Sequence, residues 1–116
     1  MSGVSIQMRG HCFDSIKDMA EVLKNRMNTE LICESYRSIG LVNVGTLAFE
    51  KFFWRNGSYA ALTVVLSENG EEKMADIIGS GGGDGIFNIS WGANREMAED
   101  AASILKKFGL EESKDA

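Results

Sequence analysis

The stretch Leu47–Gly79, LAFEKFFWRNGSYAALTVVLSENGEEKMADIIG, decides the fold. It contains two Asn-Gly pairs, Asn56-Gly57 and Asn69-Gly70, each set between runs rich in aromatic and β-branched residues. Asn-Gly is the strongest short hairpin signal, because both central residues of the turn must take positive φ. The spacing predicts a three-stranded antiparallel meander over 47–55, 58–67 and 71–79. Two-residue turns then set a register in which Trp54 faces Tyr59, Phe49 faces Val64 and Leu47 faces Leu66. On the third strand, Leu62 faces Ile77 and Val64 faces Ala75.

Side chains alternate along a strand, so this meander has two distinct faces. One collects Leu47, Phe49, Phe53, Leu62, Val64, Leu66 and Ile77 and is the expected core. Lys51 is its misfit and is expected to snorkel toward an edge. The other face carries Phe52, Trp54, Tyr59, Ala61, Val65, Met74 and Ile78, with Glu50, Thr63 and Asp76 in one cross-strand row. A two-layer domain would leave that face polar. This much apolar surface rarely stays bare on a soluble monomer, so something is expected to cover it.

Outward from the meander, Val4–Arg9 alternates apolar and polar as a half-buried strand does. Ser15 and Asp18 have the spacing of a helix N-cap, and Ile16, Met19, Ala20, Leu23 and Met27 follow as one apolar stripe. Leu31–Arg37 reads as another strand. Past the glycines, Ile86–Trp91 reads as a strand broken by Gly92, with Asn94 capping a last helix. That helix buries Met97, Ala101, Ile104, Leu105 and Phe108, and Gly109 stops it. The expected fold is α+β: an antiparallel sheet of about five to six strands with two helices on one face, in the order strand, helix, strands, helix. Residues 1–110 form a single domain and 111–116 a polar, disordered tail.

The chain has 116 residues, 44% apolar and 25% charged, which suits one globular domain. A net charge of −5 without a Lys/Arg cluster disfavours nucleic acid and anionic membrane surfaces. No apolar run approaches the roughly 18 residues of a membrane span, and the first residues lack a signal-peptide pattern. Two cysteines make no disulfide framework. A reducing, cytoplasmic setting is expected.

The glycine stretch GSGGGDG, residues 79–85, invites a phosphate-binding interpretation that its spacing does not sustain. A P-loop needs a Lys-Ser/Thr pair after its glycines, and the dinucleotide pattern G-x-G-x-x-G fails at Asp84 and at Ile86. The stretch also leads into an expected strand rather than a helix N-terminus. It is a flexible connection or bulge, or a mobile loop gating a ligand. His11, Cys12 and Cys33 lack paired zinc-ligand spacing, and a structural histidine with two buried thiols is the expectation. No metal and no cofactor is expected. Cys12 beside a helix start, with Glu50 and Asp76, are the groups available to an enzyme, but no nucleophile, base and oxyanion set can be named. The two carboxylates serve equally to limit promiscuous association.

Through IIGSGGGDGIFNISWGANREMAEDAASIL, residues 77–105, the chain resembles a family of small uncharacterised bacterial proteins in which a Ser-Gly-Gly loop follows a meander. Ser80, Gly81 and Gly82 carry the likeness, followed by Ile86, Phe87 and Ile89. The resemblance implies a fold and a bacterial origin, and transfers no catalytic residue. Two functions compete. The first is a non-enzymatic protein that self-associates, as a dimer in the simplest case, through the face of Phe52, Trp54, Tyr59 and Ile78. The second is a binding domain for a small apolar ligand, with 79–85 as its lid. Ser80, Gly81, Gly82 and Asp84 would lie at the interface or at the pocket mouth.

Overall fold

The computed structural model describes residues 3–53, 57–81 and 89–113. The order is β1 (Val4–His11), α1 (Ile16–Arg26), β2 (Glu30–Ile39), β3 (Val42–Phe53), β4 (Ser58–Asn69), β5 (Glu72–Gly81), α2 (Ile89–Lys106) and β6 (Leu110–Glu112). These strands form one six-stranded sheet in the order β2-β3-β4-β5-β1-β6, antiparallel throughout. The expected meander is extended by one strand, because β2 joins it through a tight turn at Gly40-Leu41. Gly40 supplies the positive φ of 60° that this turn requires.

Both predicted hairpins form, and both registers differ from expectation by two residues. Phe52 pairs with Tyr59 and Phe49 with Leu62, and Gly57 N–H donates to Phe53 O at 3.0 Å, so this connection is longer than a two-residue turn. At the next turn Asn69 pairs with Glu72, and Gly70 (φ 63°) takes the first turn position with Glu71 the second. A slip of two leaves every side chain on its assigned face, because the alternation has period two. The expected core residues are accordingly buried, Leu47, Leu62, Val64, Leu66 and Ile77 completely. Burial of each such side chain contributes about 1.5–3 kcal/mol.

Both helices lie over this core face. Helix α1 begins where expected: Ser15 Oγ accepts from Asp18 N–H at 3.1 Å, and Ile16, Met19, Ala20 and Leu23 face the sheet. Helix α2 departs from the sequence reading. Ile89–Trp91 belongs to the helix rather than to a strand, and Ile86–Asn88 lies outside the described residues. Asn94 is not a cap but a fully buried residue inside α2. Glu96, Glu99 and Asp100 fall mid-helix. A short alternating apolar run does not distinguish a strand from a helix end, and the four-residue repeat Ile89, Ala93, Met97, Ala101, Leu105 is the helical signal that prevails.

Glycines set how closely α2 approaches the sheet. A Cβ on Gly79 would lie 2.6 Å from the backbone O of Asn94, and one on Gly81 2.7 Å from Ala60 Cα. Gly79, Ser80 and Gly81 are thus β5 residues over which the helix passes, and not a loop. After α2, Gly109 (φ 96°) turns the chain, and Leu110–Glu112 pairs with β1 where a disordered tail was expected from residue 111. Among the described residues no helix is long and apolar enough to cross a membrane.

Candidate functional site: the uncovered sheet face

The helices cover one side of the sheet, and among the described residues nothing covers the other. The centre of that uncovered side is small and uncharged. Thr46 and Ala48 on β3 and Ala61, Thr63, Val65 and Ser67 on β4 are half-buried by their neighbours alone. Larger apolar groups stand around them. Phe52 and Tyr59 form a cross-strand pair with ring centroids 4.9 Å apart and planes tilted by 57°, and they are 37% and 54% exposed. Ile78 and Met74 on β5 are 42% and 43% exposed. At the opposite end, Ile39 and Leu41 are 73% and 85% exposed.

The sequence placed Phe52, Tyr59 and Ile78 on this face and Ser80 in the adjoining glycine loop; in the structure Ser80 is a strand residue on the face beside them. Ile78 stands between Ser5 and Thr63, and Ser80 stands beside Ala61. Gly81 lies on the core side opposite Ala60. Trp54, Gly82 and Asp84 lie outside the described residues. The row of Glu50, Thr63 and Asp76 is not formed. Glu50 pairs with Ala61, and Thr63 pairs with Ala48 and Ile78. Asp76 sits one row further on, beside Val65 and Gln7. The two-residue shift of each hairpin separates these carboxylates, which removes the geometric case for paired acid–base chemistry. Cys33 corrects another expectation: it is exposed, and its pairing with Ala48 puts it on the uncovered face.

Sequence reasoning missed the polar cluster at the far end of the core. Lys73 is 1% exposed on the core side of β5. Its Nζ donates to Gly70 O at 2.7 Å and to Cys12 O at 3.1 Å, and it lies 3.5 Å from Glu68 Oε1. Glu68 in turn accepts from Ile16 N–H, at the first turn of α1, at 3.1 Å, and from Asn43 Nδ2 at 3.0 Å. One buried ion pair thereby ties the β4–β5 turn, the β1–α1 connection and the β3 start together. Parity revealed it in principle, since Lys73 alternates in phase with Ala75 and Ile77, and Glu68 with Leu66. Cys12 is half-buried beside it, its Sγ donating to Asp14 O at 3.7 Å.

Strand β2 is held to α1 by a second polar group. Tyr36 Oη donates to Glu34 Oε2 at 2.7 Å, and Lys24 Nζ donates to Glu34 Oε1 at 3.0 Å. The Tyr36 hydrogen bond, then Lys24, hold the Glu34 carboxyl below its ordinary range. Burial, then the Glu34 carboxylate, push the Tyr36 phenol up to about 12. The Tyr36 ring occupies the space over Gly45 that a Cβ would fill, 2.8 Å from Tyr36 Cε1. Lys17 Nζ lies 5.3 Å from the centre of the same ring.

Two clefts of about 260 and 390 Å³ meet at Asn28, Thr29 and Lys51, and charged groups stand among their walls: Arg26, Glu96 and Asp100 in the first, Glu30 and Glu50 in the second. Lys51, the expected misfit of the core face, is half-buried with its Nζ 5.2 Å from the centre of the Phe53 ring. Among the described residues no group of three His, Cys, Asp or Glu side chains is placed to hold a metal ion. No curated protein and no solved structure matches the chain. The model of the Family of unknown function (DUF6054) matches residues 1–109, and the chain belongs to that family.

Proposed function

We propose that this chain is a non-enzymatic α+β protein that self-associates through the uncovered face of its sheet. One observation carries the proposal: the middle of the face, at Thr46, Ala48, Ala61, Thr63 and Val65, holds no charge and no long side chain, and the exposed apolar groups Phe52, Tyr59, Met74 and Ile78 stand near it, with Asp76 and Glu50 the carboxylates at its margin. Short side chains let a second flat surface approach to the roughly 10 Å of stacked sheets. Symmetric self-association is the commonest way for a soluble chain to bury such a face. Two free thiols, one of them on the face, fit a reducing compartment.

A lid-covered pocket for an apolar ligand has less chemical support, since the clefts around Lys51 have charged groups in their walls. Sedimentation velocity at micromolar concentration tests the proposal. The expected result is a dimer, and Thr63→Glu, which sets a carboxylate in the middle of the face, is expected to give a monomer with unchanged circular dichroism. A wild-type chain that stays monomeric across that range overturns the proposal.

A further inference from the structure

We infer that the partner is a second copy of this chain, packed face to face about a two-fold axis that lies in the interface and runs across the strands. This inference rests on the self-association just proposed and adds its geometry. Three observations support it.

The first is charge. On the uncovered face Arg37 stands beside Val44 at one end of β2 and β3, and Glu30 stands beside Glu50 at the other. Among the described residues none of these three side chains forms an ion pair within the chain. Stacked sheets keep their strands within about 30° of each other, so an aligned two-fold axis runs either along the strands or across them. An axis along the strands stacks each end of the face on its like and keeps Arg37 far from the partner's Glu30 and Glu50. An axis across the strands at the level of Leu47, midway between Val44 and Glu50, sets β2 over the partner's β2 in the opposite direction. Arg37 then stands over the partner's Glu30, one strand from the partner's Glu50, and the contact occurs twice.

The second observation is apolar. The same axis brings the end that bears Ile39, Leu41 and Val42 over the end that bears Phe52 and Tyr59. Both ends are exposed in the single chain, and each is the other's complement. The third is area. Five strands about 4.8 Å apart and eight residues of about 3.3 Å present roughly 600 Å² per copy, or roughly 1,200 Å² for the pair, the lower bound of a stable specific interface.

Charge exchange tests the axis. Sedimentation equilibrium is to be run on the wild type, on Arg37→Glu, on the double variant Glu30→Arg/Glu50→Arg, and on the three changes combined. The expected result is a dimer constant weakened about tenfold in each of the first two variants and restored to within about threefold of wild type in the combination. A wild-type dimer whose combined variant is no tighter than the partial ones overturns the axis and leaves self-association standing. A wild-type monomer overturns both.

Discussion

Lys73 shows what alternation can and cannot reveal. Its position on the core side follows from period two, yet a lysine there reads as a misfit, because lysine is almost never fully buried without a partner. The partner is Glu68, across the β4–β5 turn, and both hairpin slips left the two residues on the core side. Burying two charges is costly, and the pair is tolerated because two carbonyls, the first turn of α1 and Asn43 satisfy the remaining valences. Lys73→Ala strands the Glu68 carboxylate and is expected to cost about 3–5 kcal/mol in urea unfolding at fixed protein concentration. Exchanging both residues for methionine is expected to recover most of that loss. A single variant within 1 kcal/mol of wild type would show that the cluster does not hold the turns together.

Strand β2 illustrates why an element can be visible in sequence while its attachment is not. Its apolar and aromatic composition marks it as a strand, but ten residues at a sheet edge bury little of themselves. What fixes it is Tyr36, lying on Gly45 of β3 and bonded to the Glu34 carboxylate that Lys24 of α1 also holds. Neither the gap over Gly45 nor the reach of Lys24 has a signature in local periodicity. The raised Tyr36 phenol has a pH consequence. The folded chain keeps a proton that the unfolded chain, with an ordinary tyrosine value near 10, has lost, so stability present below about pH 10 falls as pH rises toward 12. Tyr36→Phe is expected to lower stability by about 1 kcal/mol at pH 8 through loss of the hydrogen bond, and to flatten the decline between pH 10 and 12 in thermal melts. An unchanged alkaline slope in the variant would assign that slope to other groups. The start of α2 is obscured in sequence for the converse reason. Ile86–Trp91 alternates as a strand does, and only the longer four-residue repeat through Leu105 reveals the helix.

For the molecule as a whole, the two-layer architecture and the uncovered apolar face were both legible from Leu47–Gly79, because face assignment survives any even error in register. Cross-strand neighbours were not, because they depend on turn geometry that two Asn-Gly pairs left two residues out. That distinction matters for Asp76. In the expected register it belonged to a row with Glu50, but it stands alone beside Val65, inside the area a second copy would cover. In the proposed dimer a carboxylate there would be desolvated as the faces meet, so it would weaken the association that the neighbouring small and apolar groups favour. Such a charge would keep the proposed interaction reversible and discriminate against unrelated apolar surfaces. Asp76→Ala removes the penalty without adding bulk. It is expected to tighten the dimer about tenfold by sedimentation equilibrium at neutral pH, with the same change in dissociation rate if the encounter is unaltered. If Asp76→Ala leaves the dimer constant unchanged, Asp76 lies outside the contact and the copies meet closer to β2 and β3.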